Sequence, residues 1–578
     1  MTGTLLNQEN NRLDYGKILQ PDMGYRLDFA VGLTYSLDLE ALLGVPVALG
    51  MLDDIDSAHK NNPFYLLEAI RKSSDRIAIF CNAGCIKLPR HTEPVFALLE
   101  NSVFQVKLNP GANFHPKVWV VRYKDEEGAA YIKVIVLSRN LTFDRSLDVA
   151  LEMTGAIGKR EHEKHKPLSD LLLFTAGYAQ NGKAALIRAL ARDLLRVDAF
   201  SIDDRFADYD FLSVGLKGYH GITDAIFSDA NELIAVSPFL SSSVTGTIAR
   251  RPRRKVLITR KSSVTPAIFQ QFDEVYIIRD ALLDDALLQE AEEPSQPKRD
   301  VHAKIYFKTS GNGNHLYLGS LNASANAFYH NVEFMIGLKF KPRQYGFTMV
   351  KEELIPQGNG PFEKLEVPNA ENICEDTGEQ DDLSDIVHAL KTARAVLVGE
   401  RYSVFVACGA LERPAQIAPM YRQAAFADIQ AETELPGLAL RELSEFYVIR
   451  RDDAYAVVKI TTQGIPVSER DKAIYNAIIG SRSGFMAYIA FMLADQDSYG
   501  EVSMELKEFM EALRQGAAPT GQFPAALYER MLRAVVDTPW KFDDIEDVMR
   551  RLDPGIVTDD FRKVVETFRS AARKAAKK

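Results

Sequence analysis

The sequence predicts an α/β protein built from two similar lobes, followed by a β-rich segment and a C-terminal helical module. Three observations carry this. A block of apolar runs and polar motifs occurs twice, with its histidines 187 positions apart, so each copy belongs to a unit of ordinary domain size. Each copy is preceded by short β-branched runs at strand spacing. After about residue 345 the pattern changes, first to a Gly-, Pro- and acid-rich stretch, then to strands, then to helical periodicity.

The first lobe is assigned to residues 1–165, with strands at 75–82 and 102–108 ahead of FHPKVWVVRY, YIKVIVLSRNLT and LDVALEMTG. Residues 166–198 have helical periodicity and read as the connection between lobes. The second lobe, 199–345, has strands at 231–240 and 254–260 ahead of VHAKIYFKTS, HLYLGSLNAS and NVEFMIGL. In each copy a polar, helix-like stretch separates the last two runs. A linker is expected over 346–392, a β-rich domain over 393–468 and a helical module over 469–578, including ALYERMLRAVV and FDDIEDVMRRL. This last third suits a packing, oligomerisation or partner-docking role.

Composition narrows the class. Hydrophobic residues make up 46% and charged residues 26%, as in an ordinary globular protein. The longest apolar run, Leu42 to Leu52, is broken by Gly and Pro and is too short to span a bilayer. The first residues carry no export pattern, so the chain reads as cytoplasmic. The four cysteines, Cys81, Cys85, Cys374 and Cys408, lack the partners of a zinc site and read as reduced thiols; neither metal nor cofactor is expected. A net charge of −10 excludes a chain that coats nucleic acid indiscriminately, but not one with a local basic groove.

The chemistry lies in the repeated block. Alternate residues of a strand share a face, which pairs His115 with Lys117 and His302 with Lys304. An imidazole can attack phosphorus while an ammonium neutralises the non-bridging oxygens. Ser138 with Asn140, and Ser320 with Asn322, end the neighbouring strands and offer donors that could position a phosphate. One such half-site lacks an acid for the leaving oxygen, and a second histidine supplies it. Glu333 is the preferred acid for orienting a histidine, with Glu152 and Asp148 as the alternatives in the first lobe.

His115-Pro116-Lys117 with Ser138-Arg139-Asn140, and His302-Ala303-Lys304 with Gly319-Ser320-Leu321-Asn322, resemble the H-x-K and G-S-x-N signature of the phospholipase D superfamily. The resemblance covers roughly residues 25–345. It implies a pseudo-twofold αβα sandwich, a phosphohistidine intermediate and no metal requirement, with His115 as nucleophile and His302 as acid and base. Phospholipases of the superfamily carry an Asp five residues after the motif Lys, where this chain has Arg122 and Thr309. That departure is similar to the tyrosyl-DNA phosphodiesterase and nuclease branches. It implies a nucleic-acid substrate, DNA more than RNA, and a place in bacterial restriction or phage defence with a helicase or other subunit as partner.

Arg250, Arg251, Arg253, Arg254 and Lys255, with Arg260 and Lys261 beyond, put seven basic residues in twelve positions. They read either as a solvated loop or as a phosphate-tracking patch. Tyr306, Phe328 and Tyr329 are core residues or base-stacking platforms; His315 and His330 fall off the motif and read as structural or surface residues. The competing functions are a lipid phosphodiesterase or phosphatidyl transferase, and a non-catalytic nucleic-acid-binding subunit of a defence complex.

Overall fold

The computed structural model describes residues 5–6, 15–49, 63–90, 92, 94–142, 147–219, 221–279, 301–356, 360–367, 383–493 and 527–575. The expected polar stretch at 143–146, Cys374 and most of the acid-rich linker lie outside these residues.

The first sheet contains β1 (Arg26–Leu33), β2 (Ile77–Asn82), β3 (Val103–Val106), β4 (Val118–Lys124), β5 (Ala130–Leu137) and β6 (Ala150–Ala156). Their order across the sheet is β3-β2-β1-β4-β5-β6. β1, β2 and β3 run parallel, and β4, β5 and β6 are added antiparallel.

The second sheet contains β7 (Phe206–Val214), β8 (Glu232–Val236), β9 (Arg254–Thr259), β10 (Glu274–Ile278), β11 (Ile305–Ser310), β12 (Gly313–Gly319), β13 (Glu333–Phe340) and β14 (Phe362–Lys364). Its central order, β10-β9-β8-β11-β12-β13, repeats that of the first sheet with the same strand directions. β7 and β14 extend the two edges.

The histidine motifs lie just ahead of the strands expected to carry them, because β4 begins at Val118 and β11 at Ile305. Their extended backbone bonds instead to the opposite lobe. Phe114 bridges Val332, and Val301 bridges Leu147.

Both faces of the first sheet are apolar, which is why its strands read as near-continuous hydrophobic runs. On β4, Val118 and Val120 enter a core shared with Ile234, Phe307 and Leu338 of the second sheet. Leu171 and Leu190, from the connecting helices Lys166–Ala176 and Lys183–Leu195, complete that core. Trp119, Val121 and Tyr123 face the other way, into a second core that takes in Leu39, Phe64 and Leu67 of the same lobe and Tyr475, Tyr488 and Phe542 of the C-terminal helices.

That second contact revises the expected divisions. The β-rich segment does not keep its strands to itself: one of its two sheets takes in Leu37–Asp38 and Ile86–Lys87 from the first lobe, with Val457 paired to Ile86. The helical module is fastened to the same lobe through buried polar groups. Arg470 meets Glu100 at 2.7 Å, and the Tyr488 hydroxyl donates to Glu68 at 2.8 Å. Nor is the whole of 346–392 a linker, since helix Phe347–Leu354 packs on the second lobe and β14 pairs with β10.

Candidate active site between the lobes

The two cross-lobe bridges bring the histidine motifs together. The His115 backbone N–H donates to the Val332 carbonyl at 2.9 Å, and that of His302 donates to the Leu147 carbonyl at 3.0 Å. Each histidine therefore abuts the residue that precedes an acid of the other lobe. His115 Nδ1 lies 2.8 Å from Glu333 Oε2, and His302 Nδ1 lies 3.2 Å from Asp148 Oδ1.

The acids are held in matching ways. Ser138 Oγ donates to Asp148 at 2.9 Å and accepts from the Val149 N–H. Ser320 Oγ donates to Glu333 Oε2 and accepts from the Phe334 N–H at 3.0 Å. Both serines are fully buried, so they anchor carboxylates, which corrects the expectation that they touch phosphate. Asn331 adds a bond from Nδ2 to Glu333 Oε1 at 3.1 Å. Gly319, ahead of Ser320, has φ +151°, and a Cβ there would meet the Phe334 carbonyl oxygen at 2.3 Å. Only glycine fits that approach.

Glu152 is not part of this site. It sits on β6 opposite Ile135 and pairs with Lys133 at 2.7 Å. The acid equivalent to Glu333 is Asp148, in the extended segment before β6. The connection after Asn140 is three residues shorter than the one after Asn322, so a spacing carried from one lobe to the other picks the wrong carboxylate.

Lys117 and Lys304 are buried and donate to the carbonyls of His115 and His302, at 3.0 and 2.6 Å. Burial lowers Lys117 to about 7. Burial, with the charge of Lys117, pushes Lys304 well below the usual lysine value. Burial also lowers His115 to about 4, against the opposing pull of Glu333. His302 falls to about 4 through burial and the Lys304 charge, with Asp148 opposing. Burial pushes Asp148 up, yet its bond to His302 and the nearby cations hold it below the ordinary Asp value.

At neutral pH both imidazoles are thus uncharged. Each donates Nδ1–H to its carboxylate and leaves Nε2 with a lone pair, the form a nucleophile or base requires. A phosphodiester anion entering this cluster would favour the imidazolium, so one histidine could acquire the proton that a leaving oxygen needs.

The amide Oδ1 of Asn140 accepts from the Tyr35 N–H at 3.3 Å, whereas Asn322 is 7% exposed and its Oδ1 has no hydrogen-bond partner. Tyr35 leans on His115, with ring centroids 5.0 Å apart, and also faces the Lys117 ammonium. Asn82 Oδ1 receives the Phe114 N–H at 2.8 Å and steadies the approach to His115. Sequence reading passed over Tyr35, Asn82 and Asn331; the placement of Asn331 two residues before Glu333 was the available signal.

The arginine run lies at the wrong end of its strand. β9 starts at Arg254 and finishes beside the site at Thr259, a separation of roughly 17 Å at strand rise. Arg254 pairs with Glu232 at 3.1 Å and covers Phe347, and Arg251 donates to the Ser228 carbonyl. Arg250 and Arg253 are exposed at that far end, with Lys255 beside them. Tyr306 and Phe328 are core residues, whereas Tyr329 and His330 are exposed and His315 sits against Tyr317 on β12. Among the described residues no cluster of His, Cys, Asp and Glu could hold a metal, and no helix is long and apolar enough to cross a membrane.

No family model and no curated protein matches this chain. Among solved structures it is similar to a polyphosphate kinase from Porphyromonas gingivalis, at 11% identity and TM-score 0.34 over 61% of this chain. The match spans 46% of that kinase, less than half its length. It is also similar to yeast tyrosyl-DNA phosphodiesterase, at 11% identity and TM-score 0.32, over 57% of this chain and 86% of that one. Likenesses this low carry neither an activity nor a substrate to this chain.

Proposed function

We propose that this chain is a metal-independent phosphodiesterase acting on nucleic acid, DNA more than RNA, with His115 as nucleophile and His302 as acid and then base. The observation that supports this most directly is the pair of crossed contacts, His115 with Glu333 and His302 with Asp148, around two buried lysines. His115 Nε2 attacks phosphorus as the bond to the leaving oxygen breaks, and His302 delivers its proton to that oxygen. His302 then takes a proton from water, whose oxygen attacks phosphorus as the bond to His115 breaks. The entering phosphodiester anion favours the charged forms of Lys117 and Lys304, which neutralise its non-bridging oxygens, and Asn140 and Asn322 position them.

The test is cleavage of labelled single-stranded DNA, duplex DNA and RNA in excess EDTA, with His115→Ala and His302→Ala alongside. Cleavage that persists in EDTA and disappears in both variants is expected. Cleavage that requires metal and ignores both substitutions would overturn the mechanism.

A further inference from the structure

We propose that Arg260, lying over the Phe239 ring at the second lobe's half of the site, is a specificity-determining residue. It binds the phosphate next to the scissile one and so gives a bound strand one polarity. This rests on the nucleic-acid reading of the same site.

The two half-sites can be compared position by position. Thr34 Oγ1 accepts from the Leu141 N–H at 2.9 Å and donates to the Ser36 carbonyl at 2.8 Å. Ser237 Oγ accepts from the Ala323 N–H at 2.9 Å and donates to the Phe239 carbonyl at 2.8 Å. Leu37 bridges Leu141 as Leu240 bridges Ala323. Thr34 therefore corresponds to Ser237, Tyr35 to Pro238 and Ser36 to Phe239. On the neighbouring strands, where Leu33 pairs with Phe80 and Val236 with Ile258, Asn82 corresponds to Arg260.

At these positions the halves differ in chemistry. Asn82 and Arg260 both brace the residue before a histidine; Asn82 receives the Phe114 N–H, and Arg260 Nε donates to the Val301 carbonyl at 3.3 Å. Only Arg260 brings a charge. Its guanidinium carbon lies 4.4 Å from the Phe239 ring centroid, where the first lobe has only a serine. Stacking of this kind holds a guanidinium plane flat and presents its edge as a fork to phosphate oxygens. Pro238 supplies the second difference. It has no N–H, so the bond that satisfies Asn140 cannot form for Asn322, whose buried Oδ1 stays without a donor. A buried acceptor left unmet is costly, and a ligand hydroxyl or water on this side would meet it. A cation and an open acceptor on the same half mark it as the half that grips the strand.

The test uses the full chain carrying His115→Asn, titrated by fluorescence anisotropy with a labelled dinucleotide (one phosphate) and trinucleotide (two phosphates). The trinucleotide is expected to bind more tightly. Arg260→Gln should weaken it about tenfold, the usual worth of a charge-assisted hydrogen bond, and erase its advantage. Arg260→Lys should restore part of the loss. Replacing only one of the two phosphates by a neutral methylphosphonate should reproduce the loss. Equal weakening of both ligands, no weakening of either, or no binding by the parent overturns the assignment. Arg260-dependent binding by a wild-type chain that cleaves nothing would sink the proposed catalysis and leave this inference standing. A nuclease whose two-phosphate preference ignores Arg260 would do the reverse.

Discussion

His115 Nδ1 and Glu333 Oε2, 218 residues apart in the chain, lie 2.8 Å from one another across the boundary between the lobes. Both carboxylate oxygens are occupied, one by Ser320 and one by Asn331, so the acid cannot turn away from the ring. Glu333→Gln would present an N–H to Nδ1 and favour the wrong tautomer. A loss of roughly 10²- to 10⁴-fold in cleavage rate is expected, with an unchanged circular dichroism spectrum. Near-normal turnover would show that the acid serves packing alone.

Asp148 and Glu152 should separate cleanly. Asp148→Asn is expected to lower the rate at least 100-fold, by analogy with loss of an orienting carboxylate, and Glu152→Gln to leave it within about twofold. Rate measurements on the same labelled strand decide between them, and the opposite ranking would return the first-lobe acid to β6.

Acid should destabilise the protein over a defined window. His115 and His302 are held at about 4, while an unfolded histidine titrates near 6.5. Between those values the unfolded chain binds more protons, so the unfolding free energy rises with pH from about 4 and is fully regained above about 6.5. Urea midpoints at pH 4.5, 5.5, 6.5 and 7.5 should trace this rise. A variant carrying His115→Asn and His302→Asn should show a shallower slope; an identical slope would refute the assignment.

The C-terminal fastening can be tested by breaking one ion pair. Glu100 and Arg470 meet at 2.7 Å with side chains 7% and 3% exposed. Glu100→Ala leaves the buried guanidinium with Asp471 as its remaining carboxylate and should cost about 3–5 kcal/mol in urea unfolding. Glu100→Leu combined with Arg470→Met, which removes both charges, should cost less. Equal losses would mean that the pair contributes packing and little else.

The candidate site was legible in part because its motifs are local: His-x-Lys and Ser-x-Asn sit on short runs that recur in order. Glu333 was also within reach, close behind its own motif. Asp148 was readable only as an alternative, since the three-residue difference between connections breaks the register. The crossed pairing was not legible, because it depends on Phe114 meeting Val332 and Leu147 meeting Val301 across the chain. The arginine run stayed open between a solvated loop and a phosphate-tracking patch because nearness in sequence does not tell which end of β9 points at the site. The docking of Val457 on Ile86 left no sequence signal at all.

That docking has a consequence for how the protein is made. Ile86 emerges from the ribosome more than 350 residues before Val457, the strand residue that pairs with it. At typical synthesis rates the strand Ile86–Lys87 waits roughly 20–75 s for that partner, with unpaired backbone groups on the side Val457 will take. During that interval the nascent chain offers a sticky surface to chaperones and to its neighbours. The yield of folded protein should therefore depend on translation speed and temperature more steeply than its final stability does.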